Sequence, residues 1–98
     1  MKIVAVTACP TGIAHTYMAA EQLEKTARKL GHILHVETQG SMGIENELSQ
    51  DDIDAADVAI FAVGIPVRNQ ERFANIKIVE ISVQDAIKAP DSVFAKLG

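Results

Sequence analysis

A single cysteine and a histidine six residues after it are the side chains of this 98-residue chain best suited to covalent chemistry. Cys9 follows an apolar run at residues 3–7 and precedes a segment with helical spacing, which predicts a turn between a strand and a helix. Backbone N–H groups converge in such a turn, and the helix end adds partial positive charge. We therefore predict an anion site in which Cys9 is a charged, nucleophilic sulfur.

The spacing of the residues that follow Cys9 indicates that the anion is phosphate. Cys9 and the pair His15-Thr16 form the frame Cys-x5-His-Thr, which matches the Cys-x5-Arg-Ser/Thr frame of small tyrosine phosphatases except at the arginine. Arginine holds a phosphoryl group with two hydrogen bonds and is always charged, whereas histidine gives a weaker, pH-dependent contact. The sequence predicts that phosphate binds and that a phosphocysteine hydrolyses slowly.

Other cysteine chemistries fit less well. A Cys-x-x-Cys redox pair is excluded, because Gly12 is the third residue after Cys9 and the chain has no second cysteine. No familiar zinc-ligand spacing joins Cys9 to the three histidines, so we expect no metal. We also expect no organic cofactor, because chemistry at phosphate depends mainly on positioning and charge stabilisation, which the loop can supply. His15 could serve a cysteine hydrolase as a base, or it could only donate to phosphate.

Each residue near Cys9 also has a purely structural alternative. Gly12 could be a turn former or could allow phosphate to approach the backbone closely. The hydroxyls of Thr11 and Thr16 could cap the helix or donate to phosphate. Arg68 and Arg72 could dock a partner or could be solvated surface residues. Three apolar residues could form a rim that contacts a partner: Ile13, Met18 and Val67.

Composition limits the class of protein. Nearly half of the residues are apolar without a long uninterrupted run, which predicts one folded domain over residues 1–98 and no membrane insertion. The net charge is −4 with no basic cluster, so we expect no nucleic-acid partner. The first residues enter a strand pattern directly and the cysteine is unpaired, so we expect no signal peptide and a cytoplasmic location.

Strand and helix patterns alternate along the chain. Residues 3–7 and 58–63 are apolar on both faces, as in inner strands of a parallel sheet. Residues 32–38 and 76–80 mix charged and apolar positions and are predicted as edge strands, with His35 and Glu37 on an exposed face. We predict an α/β, Rossmann-like domain whose open parallel four-stranded sheet has the order 2-1-3-4 and helices on both faces. Cys9 then lies where ligands bind in such sheets.

Several helix boundaries follow from local signals. Ala20, Leu23, Ala27 and Leu30 recur with helical spacing before Gly31. Ser49 and Asp52 are placed as a capping box, and Ser82 as a second helix cap. Pro90 is predicted to end a helix.

The segment around Cys9 resembles the active-site stretch of the fructose-family enzyme IIB domain of the bacterial phosphoenolpyruvate-dependent sugar phosphotransferase system. The similarity rests on residues 5–20 and continues through residues 36–41, 52–57 and 71–73, so it covers essentially the whole chain. One region departs: the family often has an acidic residue just after the third strand, where this chain has residues 63–68 without one.

The resemblance implies an enzyme, a phosphotransferase. Cys9 would accept a phosphoryl group from a phosphohistidine of a IIA domain and pass it to fructose or a fructose-like sugar bound by a membrane IIC component, which recruits the domain to the inner face of the membrane. The implied phosphate-binding residues are Pro10, Thr11, Gly12, Ile13, Ala14, His15 and Thr16. The alternatives are a small cysteine-dependent phosphatase, which the histidine disfavours, and a non-catalytic anion-binding regulatory module, which the cysteine disfavours.

Overall fold

The computed structural model describes residues 1–9, 13–40 and 43–97, with Ile13 described in its backbone only. The strands in this part of the chain are β1 (Lys2–Ala8), β2 (Ile33–Gly40), β3 (Gly43–Glu45), β4 (Val58–Val63) and β5 (Ile78–Ile81). The α-helices are α1 (Ile13–Lys29), α2 (Gln50–Asp54), α3 (Val83–Lys88) and α4 (Pro90–Ala95), and Gln70–Phe73 form a 3-10 helix.

The strands form one sheet in the order β3-β2-β1-β4-β5. Strands β2, β1, β4 and β5 are parallel, which confirms the predicted order of four parallel strands and the pairing of the two apolar strands. The predicted strand count was wrong, because the short strand β3 adds an antiparallel fifth strand beyond β2. Gly43, with φ of +94°, allows the chain to return beside Gly40. Strand β2 is therefore an inner strand.

Helices cover both faces of the sheet, as predicted. On the first face, α1, α3 and α4 pack against a core that includes Ile3, Ala5, Leu23, Ile60 and Phe94. On the second face, Ile53 of α2 and Phe73 of the 3-10 helix pack in a core with Val4, Val6 and Phe61 of the sheet. Because successive side chains of a strand point to opposite faces, β1 and β4 supply both cores.

Local signals set most helix boundaries. Helix α1 ends at Lys29, shortly before Gly31, which has φ of +79°. Leu30, the last residue of the predicted helical spacing, lies just beyond the helix and is 46% exposed. The hydroxyl of Ser49 accepts from the N–H of Asp52, whose carboxylate accepts from the N–H of Ser49, which confirms the capping box. Ser82 caps α3 in the same way without the reciprocal bond.

The end of the chain differs in detail from the prediction. Helix α3 ends at Lys88, and Pro90 occupies the first turn of α4, where its missing N–H costs no helical hydrogen bond. None of the helices in the described ranges combines the length and the apolarity that crossing a bilayer requires.

Candidate functional site

Cys9 lies at the carboxyl edge of the sheet, directly after β1. The last residue of β1, Ala8, is in register with Gln39 of β2 on one side and with Val63 of β4 on the other. The chain leaves β1 towards α1, which packs on the first face of the sheet, and Cys9 is half-buried against that core. The sulfur therefore sits at the topological switch point between β1 and β4, where open α/β sheets bind ligands.

His15 is the side chain nearest to Cys9 for which the structure gives a contact. The Sγ atom of Cys9 lies 4.0 Å from Nδ1 of His15, which is exposed on the first turn of α1. That turn carries no acidic residue, so no carboxylate opposes an anion at the positive end of the 17-residue helix. The pair can exchange a hydrogen bond or share the charge of a phosphoryl group on sulfur.

The remaining loop candidates divide into three groups. Pro10, Thr11 and Gly12 lie outside the described residues. Ile13 begins α1, and Ala14 is exposed beside it. Thr16 is buried, and its backbone carbonyl accepts a hydrogen bond of 3.1 Å from the hydroxyl of Thr7, which ties α1 to β1. The structure thus brings the described candidates to one end of one helix.

Two buried hydroxyl groups near this end of the sheet lack hydrogen-bond partners within the described part of the chain. They belong to Thr16 of α1 and to Thr38 of β2, which is in register with Thr7. Thr38 shares the first face of the sheet with Val36, because alternate residues of a strand point the same way. Unsatisfied buried hydroxyls are uncommon in folded proteins, so both hydroxyls are candidate donors at this end of the sheet.

A cavity of about 480 Å³ opens beside the sulfur. Its lining consists of Cys9, His15, Met18, Val63, Gly64, Ser82, Val83, Gln84, Ile87 and Lys88. The N–H of Gly64 donates to the carbonyl of Ala8 at 2.8 Å, which fixes this wall to the end of β1. Met18 is 47% exposed at the cavity, as an apolar rim requires, whereas Val67 is buried in the second core and cannot form that rim.

The second face of the sheet holds a buried ion pair that the sequence analysis missed. Glu37 is fully buried, contrary to its predicted exposure, and both of its carboxylate oxygens accept from Arg72, at 2.8 and 3.0 Å. Arg72 is neither a docking residue nor a solvated one, since its guanidinium faces inward and lies over the ring of Phe73. No single-sequence signal joins two residues that are 35 positions apart.

Arg72 and its neighbours bind the backbone of two loops. The guanidinium donates to the carbonyls of Leu48 at 3.0 Å, Arg68 at 3.3 Å and Asn69 at 2.9 Å. The side-chain amide of Gln39 accepts from the N–H of Arg68 at 2.8 Å and donates to its carbonyl at 3.2 Å. The side chain of Arg68 itself is on an exposed residue, so a docking role stays a prediction for Arg68 alone.

The ion pair changes the protonation equilibria of both partners. Burial raises the pKa of Glu37, but hydrogen bonds from Arg72, Gln39 and the N–H of Leu48 outweigh it and hold this pKa below its ordinary value. The hydrogen bond to Glu37 in turn raises the pKa of Arg72. Both groups are therefore charged at neutral pH.

Within the ranges that the structure describes, no group of three or more histidine, cysteine, aspartate or glutamate side chains converges in a way that could hold a metal ion. The only cysteine of the sequence, Cys9, faces His15 and the cavity instead.

Comparison with known proteins gives the family. Residues 4–96 match the family model described as PTS system, lactose/cellobiose specific IIB subunit. The chain is 50% identical over 96 residues to the PTS system fructose-like EIIB component 2 of Escherichia coli K12, covering 98% of this chain and 91% of that protein. It is 52% identical over 99 residues to the fructose-like PTS system EIIBC component of the same organism, covering 99% of this chain and 20% of that protein.

A solved structure agrees with the sequence comparisons. A crystal structure of a domain from the fructose-specific IIABC component of Borrelia burgdorferi superposes with a TM-score of 0.93 at 44% identity, covering 98% of this chain and 91% of that one. Sequence, fold and family model agree over almost the whole chain. The chain therefore belongs to the PTS IIB family, whose fructose-like components are its close relatives and whose activity is phosphotransfer.

Proposed function

We propose that Cys9 is the residue of this IIB domain that carries the phosphoryl group. It accepts the group from a phosphohistidine of a IIA partner and transfers it to a fructose or fructose-like sugar held by a membrane IIC component. The observation that carries this proposal is the position of the sulfur at the switch point, 4.0 Å from His15 at the start of α1. Nucleophile, partial positive charge and imidazole meet there.

The transfer consists of two displacements at phosphorus. In the first, the thiolate of Cys9 attacks the phosphorus of the phosphohistidine, the S–P bond forms, the N–P bond breaks, and the electron pair stays on the imidazole nitrogen. In the second, a sugar hydroxyl oxygen attacks the same phosphorus, the S–P bond breaks, the hydroxyl proton is released, and the thiolate is regenerated. Each step depends mainly on alignment and on stabilisation of the transferring charge.

The residues around Cys9 supply that stabilisation in the proposal. In this proposal the phosphoryl oxygens are bound at the positive end of α1, where the backbone N–H groups of the first helical turn and the ring of His15 are donors. Pro10, Thr11 and Gly12 complete the proposed phosphate-binding segment with Ile13, Ala14, His15 and Thr16. The hydroxyl of Thr16, buried without a partner within the described ranges, is a further donor. A histidine in place of the phosphatase arginine binds the phosphoryl group without promoting attack by water.

The partners follow from the system to which the family belongs. PTS IIB components work with IIA and IIC components, and the EIIBC name of one relative joins B and C in a single protein. For this chain we propose a cytoplasmic domain that meets IIA in solution and IIC at the inner face of the membrane. The apolar cavity beside Cys9, with Met18 at its edge, is a surface that either partner could cover.

A comparison of two product channels tests the proposal. One portion of the phosphorylated domain is mixed with sugar and with membranes that contain IIC, and a second portion is kept in buffer alone. Sugar phosphate and inorganic phosphate are then measured in both portions. We expect transfer to sugar to exceed release of inorganic phosphate by a wide margin. Multiple-turnover release of phosphate from the unmodified domain would instead indicate a cysteine-dependent phosphatase.

His15→Arg sharpens the same test. The substitution restores the phosphatase frame, so we expect faster hydrolysis of the phosphocysteine, because a guanidinium binds the transition-state oxygens with two hydrogen bonds. His15→Ala is the matched control, which removes the contact to Sγ without adding a guanidinium. Equal hydrolysis rates in the two variants would show that residue 15 does not face the phosphoryl group.

A further inference from the structure

One wall of the Cys9 cavity belongs to a segment that the second face of the sheet holds in place. We call residues 64–69 the β4 loop, because it follows β4. Its first residue, Gly64, lines the cavity together with Val63. Its middle is held by Val67, which is buried in the second core, and its end by hydrogen bonds to Arg68 and Asn69.

The bonds at the end of the β4 loop come from two side chains, Gln39 and Arg72, and a third side chain, Glu37, holds both of these. Gln39, two residues after Glu37 on β2, binds both the N–H and the carbonyl of Arg68, as a neighbouring strand would. Arg72 adds bonds to the carbonyls of Arg68 and Asn69. Glu37 holds Arg72 through two oxygens and also accepts from Gln39 at 2.5 Å. The three side chains therefore form one connected network.

Stability alone does not explain a charged network in this place. Buried ion pairs contribute little net stability compared with apolar side chains that fill the same volume, because both charges must be desolvated. The surrounding core is apolar, with Val6, Phe61 and Phe73 among its members. What an apolar replacement could not supply is the set of directional bonds to backbone atoms of the β4 loop.

We propose that Glu37, Gln39 and Arg72 are positioning residues for phosphoryl transfer. They hold the β4 loop in register with the end of β1, so that Val63 and Gly64 keep the cavity wall at a fixed distance from the sulfur. Gln39 is itself the register partner of Ala8, the residue before Cys9, which makes the link between network and nucleophile short. The inference rests on the proposed function of Cys9.

Two variants loosen the β4 loop without leaving an unpaired buried charge. Arg72→Lys keeps a cation beside Glu37 but lacks the fork that reaches Arg68 and Asn69. Gln39→Met keeps the length of the side chain and loses both bonds to Arg68. The control is Phe94→Leu, which weakens the first core at α4, where Phe94 stacks on His32 just before β2. Its expected destabilisation is separate from the β4 loop.

The experiment measures kcat and KM for phosphoryl acceptance from phosphorylated IIA, the rate of Cys9 alkylation by iodoacetamide, and the folded fraction of each variant. At equal folded fraction, we expect kcat to fall by roughly tenfold to a hundredfold in Arg72→Lys and Gln39→Met, because small misplacements of reacting groups have effects of that size. We expect KM to stay near the wild-type value and alkylation of Cys9 to become faster. Phe94→Leu should retain the wild-type kcat and alkylation rate.

Wild-type kcat and alkylation in both loop variants would overturn the proposal, and so would an equal loss of kcat in Phe94→Leu. If the unmodified domain accepts no phosphoryl group on Cys9, the proposed function fails, and the alkylation rates decide the positioning role by themselves. In that case, wild-type alkylation rates in Arg72→Lys and Gln39→Met contradict the positioning role. Faster alkylation in these two variants, together with a wild-type rate in Phe94→Leu, supports it.

Discussion

At the carboxyl edge of the sheet, the buried polar groups of the two faces differ in their hydrogen bonding. On the first face, Thr16 and Thr38 keep buried hydroxyls without partners in the described ranges, and Cys9 and His15 border an open cavity. On the second face, Glu37 is fully buried, the Arg72 side chain is 13% exposed, and every carboxylate oxygen and guanidinium nitrogen of the pair is hydrogen-bonded. The polar side chains of the second face thus bind loop backbone, whereas the first face has candidate donors beside an open cavity.

Breaking the ion pair should have the largest effect on stability. Arg72→Met leaves the fully buried carboxylate of Glu37 without its cation, and removal of one partner of a buried pair costs about 3–5 kcal/mol. For a domain of this size that is a large share of the total free energy of unfolding. Chemical denaturation followed by circular dichroism measures it.

His15→Ala provides the matched change on the first face. His15 is exposed, so its removal should alter the free energy of unfolding by no more than about 0.5 kcal/mol. Comparable losses in Arg72→Met and His15→Ala would remove the distinction between a bonded face and an open one.

Acid should weaken the second face first. Because the folded-state pKa of Glu37 lies below its ordinary value of 4.5, the pair contributes stability that is complete above about pH 4.5 and is lost as the pH falls through the folded pKa. We expect the free energy of unfolding to fall with decreasing pH in this range. In Glu37→Gln the slope should be smaller, because residue 37 no longer takes up a proton on unfolding. Identical slopes in the two proteins would contradict the assignment.

A further comparison concerns two helix caps, one on each side of the sheet. Ser49→Ala and Ser82→Ala should each lower the free energy of unfolding by about 1 kcal/mol. The loss should be no greater for Ser49 than for Ser82, because the backbone N–H of residue 49 still donates to the carboxylate of Asp52 after the substitution. Only Ser82 lines the Cys9 cavity, so only Ser82→Ala should also change the alkylation rate of Cys9. An unchanged alkylation rate in Ser82→Ala would contradict the place of Ser82 at the cavity.

Sequence patterns predicted the parts of the fold that depend on local chemistry. Apolar residues on both faces of residues 3–7 and 58–63 identified two inner strands, and Ser49 with Asp52 marked a helix start. Strand β3 was missed because three residues are too few to show a period, and its pairing depends on the turn permitted by Gly43. The exposure predicted for Glu37 was wrong for a different reason: alternation along β2 does not show that Arg72 and the segment at Leu48 cover this side chain.

The residues of the candidate site also differ in whether local sequence could predict them. Cys9 and His15 were found because they are only six positions apart in the chain, between a strand pattern and a helix pattern. The network of Glu37, Gln39 and Arg72 depends on contacts between segments about 30 residues apart, which no periodicity records. Candidate ligand-binding residues could thus be predicted from local sequence, whereas the residues proposed to hold the site in place required the structure.

Mapping the phosphoryl group tests the central claim most directly. The domain is incubated with phosphoenolpyruvate, the general phosphotransferase proteins and a IIA component, and its intact mass and the modified peptide are determined by mass spectrometry, with Cys9→Ser as the control. We expect one phosphoryl group, located on Cys9, and none on Cys9→Ser, which should keep its fold and lose the relay to sugar. A phosphoryl group on His15, or an undiminished relay through Cys9→Ser, would contradict the account.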